Sequence, residues 1–200
     1  MPPRPARARV LTLVTAGVCL LGADFARSDL ASLVLGQTTE QQVRDRFGDP
    51  ARQSTSKVAD KVVTSLHYMH AEPRTTLVPS RAMVLSFHEG ALVGFDYTSS
   101  FTADDTAFDE ALARAVKRGV TTRAEVHRLV GPPSGQSVFP SPSVRVPGQR
   151  ADHYSSSRTM RIAESRTVET TSKSLMVTFD EQDVVIETSL AVSTTSRPLR

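Results

Sequence analysis

The sequence predicts an α+β fold, built as a tandem repeat of two helix-helix-three-strand units with an antiparallel sheet and helices packed on one face. Three observations predict it. The stretch Gly36-Gln-Thr-Thr-Glu-Gln-Gln-Val-Arg-Asp-Arg-Phe-Gly-Asp-Pro50 returns as Gly119-Val-Thr-Thr-Arg-Ala-Glu-Val-His-Arg-Leu-Val-Gly-Pro-Pro133. Gly, Thr, Thr, Val, Gly and Pro hold the same places, and Gln53-Ser54 is answered by Gln136-Ser137. Each copy is followed by strand-like apolar runs that end in a hairpin signal, His88-Glu-Gly90 in one and Asp180-Glu-Gln-Asp183 in the other. Segregated helices and hairpin-linked strands place the helices together on the sheet.

In the first unit, residues 24–101, Phe25, Leu30, Leu33 and Val34 form an apolar stripe at helical spacing, so 24–35 reads as a helix. Gly36 stops it. Thr38 or Thr39 caps the next helix, with Glu40 in its first turn. Val43 and Phe47 face the core, Gly48 ends the helix and Pro50 prevents its return. These repeated residues each have a structural reason, which outweighs a chemical one. Strands follow over 57–70, 83–87 and 91–97, joined by a connection over 74–80.

The second unit, residues 102–192, repeats the plan. Asp104 and Asp105 suit a helix start, Phe108, Leu112 and Val116 its apolar face, and Gly119 its stop. Thr121-Thr122 opens the next helix, with Val126 inward and Gly131 and Pro133 at its end. The Pro/Ser-rich run 139–148 reads as an extended, exposed loop. His153-Tyr154 echoes His67-Tyr68, and 175–179 matches 83–87. Residues 157–172 read as a long polar hairpin arm, and 193–200 as a disordered tail.

The formal charge of +3 comes from Arg4, Arg7 and Arg9, since no acidic residue precedes Asp24. The rest is balanced, which argues against a nucleic-acid partner. Those arginines precede the apolar run Val10–Ala23, so 1–23 reads as an export or lipoprotein-type segment. The run is too short for an ordinary membrane-spanning helix, which needs about 20 apolar residues. The lone Cys19 cannot form an internal disulfide. Its position resembles a lipid-attachment cysteine, although Val18 and Leu20 depart from the usual pattern. Lipidation, ordinary cleavage and an uncleaved anchor all remain open.

The histidines do not assemble a metal site. His67 and His70 are three apart on a strand and face opposite sides, His88 is in a turn and His127 on a polar helix face. No nucleophile elbow, zinc-protease helix or phosphate loop occurs. No His-acid partnership is indicated near any serine. No catalytic residue, cofactor or metal is expected.

Gly36, Thr38, Val43, Gly48, Pro50, Tyr68 and Phe87, with Gly119, Thr121, Val126, Gly131, Pro133, Tyr154, Phe179 and Asp180, resemble the SmpA/OmlA (BamE-like) family of outer-membrane lipoproteins. More distantly the chain is similar to the β-lactamase inhibitory proteins, in which tandem units grip an enzyme. The first resemblance implies a non-enzymatic envelope protein on the periplasmic side of the outer membrane. It would be membrane-associated through its N-terminus and would contact envelope proteins such as a barrel-assembly machinery. The second implies a soluble periplasmic module that clasps a partner enzyme between its units.

Overall fold

The computed structural model describes residues 25–72 and 76–199. The segment 1–24, with Cys19, lies outside the described residues. The elements run as a 3-10 turn (Arg27–Ser32), α1 (Glu40–Phe47), β1 (Arg52–Val58), β2 (Lys61–Ala71), β3 (Ser80–His88) and β4 (Ala91–Ser99). They continue as α2 (Glu110–Arg114), α3 (Arg123–Val130), β5 (Gly135–Val138), β6 (Arg150–Ile162), β7 (Thr167–Phe179) and β8 (Val185–Pro198). All eight strands form one antiparallel sheet in the order β1 to β8, curled into a half-barrel.

This corrects the predicted fold class. The chain is not two helix-helix-three-strand units but one continuous, mostly β sheet with few helices. The expected helix over 24–35 shrinks to the 3-10 turn because local side chains take the backbone groups. The Asp29 carboxylate accepts from the Ala26 N–H at 2.8 Å, and Ser32 Oγ donates to the Asp29 carbonyl at 2.7 Å. The expected helix from Thr102 collapses for a similar reason. Asp105 accepts from the Ala107 N–H at 2.8 Å, and the short α2 starts only after its cap, Asp109. Asp104 is no helix-start charge. It accepts from Tyr97 and Ser99 hydroxyls, both at 2.6 Å, and from Arg81 Nε at 3.0 Å.

The strands missing from the prediction are β1 and β5. The β1 residues are polar and mostly exposed, and its hairpin turns on Ala59 at φ 51° instead of a glycine. β5 has four residues. The stretch expected as a tail from Ser193 continues β8 as far as Pro198. It pairs with β7 down to Thr167↔Pro198, which gives its backbone partners.

Pairing register assigns the faces. Leu66↔Leu85↔Phe95 and Tyr68↔Met83↔Tyr97 are rows on one face, and Val43 and Phe47 of α1 pack on them. Phe25 is 2% exposed in this cluster, edge-on to Phe47, Tyr68 and Tyr97. Tyr154↔Leu175↔Leu190 forms a row on the same face, and Val126 of α3 packs there with Val177 and Phe179. Among the described residues the helices therefore share one face and leave the other without helical cover.

The repeated residues make repeated contacts. Thr39 and Thr122 are the N-caps, each in a reciprocal capping box with Gln42 or Glu125. Thr38 and Thr121 do a different job: their hydroxyls accept from the Val34 and Lys117 N–H groups, both at 2.9 Å. Gly36 donates to the Leu92 carbonyl and Gly119 to the Val185 carbonyl, both at 2.7 Å. Tyr68 donates to the Gly48 carbonyl at 3.0 Å, and Tyr154 to the Gly131 carbonyl at 3.1 Å. Each motif thus pins its helix to its own hairpin. The two halves meet where β4 and β5 pair over Gly94↔Ser137, Phe95↔Gln136 and Asp96↔Gly135.

Candidate binding face

The helix-free face carries two rows. One runs Ser54, Ser65, Ser86, Gly94, Ser137, Ala151 and Thr178. The other runs Arg52, His67, Val84, Asp96, Gly135, His153 and Met176. Small side chains along the first row leave a hollow of ≈ 390 Å³ in the middle of the face. Its walls include Ser54, His67, Asp96, Ser137 and His153.

At the joint of the two halves the chain needs glycine. A Cβ on Gly135 would lie 2.4 Å from the Phe95 carbonyl oxygen, and one on Gly94 would lie 2.7 Å from Ser137 Oγ. Their absence lets β4 and β5 close up and keeps the floor low.

The repeat places one Ser–His pair on each side of the hollow. Ser54 Oγ is 3.2 Å from His67 Nε2, and Ser137 Oγ is 2.8 Å from His153 Nε2. Ser65 and Ser86 hydroxyls bond to each other between them at 3.0 Å. In both pairs the serine and the histidine are diagonal neighbours on adjacent strands, within reach of each other. In the sequence Gln53-Ser54 with Gln136-Ser137, and His67-Tyr68 with His153-Tyr154, stand as separate echoes, and only the pairing of β1 with β2 and of β5 with β6 joins them.

Electrostatics differ between the two pairs. Burial holds the His153 imidazole below its usual pKa, against the opposite pull of Asp96 and Asp152. His67 is lowered by milder burial and by Arg52. Burial raises the Asp96 carboxyl, although His153, the Ser155 hydroxyl and the Tyr97 N–H act the other way. Asp96 Oδ2 accepts from Ser155 Oγ at 2.8 Å, while its buried Oδ1 has no hydrogen-bond partner. An acid does therefore stand near a Ser–His pair, contrary to the expectation that none would.

The arrangement does not extend to a nucleophile site. Ser137 is 5% exposed, and β5 pairs on both sides, so the backbone donors that an oxyanion would need belong to the ladders. Among the described residues, no three His, Cys, Asp or Glu side chains gather as a metal site would require. His127 is on the opposite face, where Asp152 joins it to Arg123.

The Pro/Ser-rich loop is exposed over residues 145–148, as expected, but its first part is anchored. Ser141 and Val144 are buried and bond to each other through their backbones, at 3.0 and 3.1 Å. Pro142 and Ser143 wall the hollow. Phe139 and Val138 pack on Val58, Val63 and Val93, a small apolar cluster on this face.

Of the predicted motif residues, Gly36, Thr38, Val43, Gly48 and Pro50 lie around α1, and Gly119, Thr121, Val126, Gly131 and Pro133 around α3. None of them lines the hollow. A second depression, ≈ 460 Å³ between the 3-10 turn and α1, is lined by Thr38, Val43 and Arg46 among others. Arg46 there is already tied to Asp29 at 2.5 Å.

No family model and no curated protein sequence matches the chain. Among solved structures it has a distant likeness, at 11% identity and a TM-score of 0.44, to one described as a "putative beta-lactamase inhibitor protein" from Streptococcus mutans, over 82% of this chain and 94% of that one.

Proposed function

We propose that the protein is a non-enzymatic binding module of the cell envelope that receives a segment of a partner protein on its helix-free face. The observation that carries this reading is the hollow with a repeat-related Ser–His pair on each side. Its hydroxyls and imidazoles can donate and accept, its floor is low enough to take a protruding side chain, and no helix among the described residues covers it. Concave, with polar groups set in a mainly apolar wall and backed by two packed clusters, it suits recognition better than bond breaking.

The envelope address rests on Arg4, Arg7, Arg9 and the apolar run with Cys19. Incorporation of labelled palmitate, lost in Cys19→Ser, and recovery of the chain in envelope fractions test it. A cytoplasmic pool with an unprocessed N-terminus overturns it.

Affinity capture from envelope extracts tests the face. Ser54 is on the edge strand β1, so Ser54→Trp fills the hollow while leaving the helix-side core alone. We expect it to lose the partner captured by the wild type, with little change in melting temperature. Equal capture by both proteins removes the hollow from the reading. The partner's identity separates outer-membrane assembly proteins from a soluble enzyme held as an inhibitor holds it.

A further inference from the structure

We infer that two copies of the chain join through β8, antiparallel about a dyad at Val192, so that the two sheets become one. β8 is the last strand of the sheet, and among the described residues it has, from Ile186 to Pro198, a neighbour only on the β7 side. That leaves an edge about 45 Å long at roughly 3.4 Å per residue. Natural sheets blunt such edges with lysine, bulges, mid-strand proline or a covering element. Here there is no lysine, the one register shift is at Val185 and the one proline is at the far end.

The occupant follows from the charges. β8 carries two charged residues, Glu187 and Arg197, both exposed. Among the described residues neither forms an ion pair within its own chain. Their positions share parity, so both project from the helix-free face. A dyad at Val192 sets Glu187 of one copy opposite Arg197 of the other, twice over. The same register overlaps the whole free edge, Ile186 against Pro198, with no like charges facing. It also places the two Val192 side chains, each 47% exposed, against one another on the helix side. Thr188, Ser189 and Leu190 then meet Ser196, Thr195 and Thr194, β-formers or small polar residues that suit cross-strand pairing.

The test uses the full chain in mild detergent, with mass measured by light scattering corrected for detergent. The wild type is expected at twice the monomer mass at tens of micromolar. Glu187→Lys and Arg197→Glu should each weaken the dimer about tenfold, since each replaces two attractive cross-strand pairs with repulsive ones. The double variant Glu187→Lys/Arg197→Glu should restore it, which a mere loss of fold would not do. Val192→Cys, in a Cys19→Ser background, should form an interchain disulfide, because residues opposite each other on antiparallel strands lie within disulfide reach. A monomeric wild type at about 100 µM overturns the inference, whatever else the edge binds. So does a dimer unmoved by either charge reversal, which would place the contact elsewhere.

Discussion

His153 shows how one residue can be written plainly in the sequence and still be misjudged. Its echo of His67 was legible, and so was the Gln-Ser echo. Their partnership depends on the register of β1 and β5, which polar composition and shortness concealed. Asp96 gave no signal at all, since it enters the hollow only when β4 pairs with β5. The imidazole also sets a pH response. Above its ordinary value of 6.5, His153 is neutral in both folded and unfolded chains. On acidification the unfolded chain takes up a proton first, because burial holds the folded value down. Stability therefore falls from about pH 6.5 downward and levels off below the folded value. Urea melts between about pH 7 and pH 5 should show wild-type stability falling, and His153→Asn should lose less over that interval. Parallel curves for the two proteins would mean that His153 does not supply the slope.

At the scale of elements, α3 is tied to the sheet differently from α1. Arg123, the first residue of α3, donates twice to Asp152, at 2.9 and 2.7 Å, and His127 lies 2.6 Å from the same carboxylate. Asp152 is fully buried on β6, whereas the corresponding position on β2 is Leu66. Removing one partner from a buried pair strands the other, at a cost of about 3–5 kcal/mol. Arg123→Met should show a loss toward the lower end of that range by chemical denaturation, because His127 remains. Arg44→Met, which breaks a pair on α1 whose carboxylate, Glu40, still meets water, should change stability by less than about 1 kcal/mol. Comparable losses would contradict the asymmetry. The starts and stops of α1 and α3 were readable because each depends on neighbours within a few residues: a threonine cap, a valine, a glycine. The first helix of each copy was misread because Asp29, Ser32, Asp105 and Asp109 bind backbone locally, and an apolar stripe does not report that competition.

Across the whole molecule, repetition suggested two bodies, and the strand pairing makes one sheet. The three-residue ladder between β4 and β5 is reinforced on both faces. Ser155 donates to Asp96, Arg158 to Asp105, both at 2.8 Å, and Arg27 to the Pro132 carbonyl at 3.3 Å. The connection before β3 also pairs with β6, where Val78 donates to the Thr159 carbonyl at 3.1 Å and Arg161 to the Thr76 carbonyl at 2.7 Å. One cooperative unfolding transition is expected, with coincident urea curves from far-UV circular dichroism and tyrosine fluorescence. Tyr68 and Tyr97 report one half and Tyr154 the other. Separate midpoints would show two bodies joined by a weak seam.

Phe25 has a consequence for reach. It is locked among Phe47, Tyr68 and Tyr97, so the leash between this anchor and Cys19 counts five intervening residues. Fully extended, that is roughly 20 Å at about 3.6 Å per residue. A lipid on Cys19 would hold the body within less than its own width of the bilayer. A partner would then have to approach along the membrane surface, and lengthening the leash with a flexible insert after Ala23 would extend the range over which it could be caught.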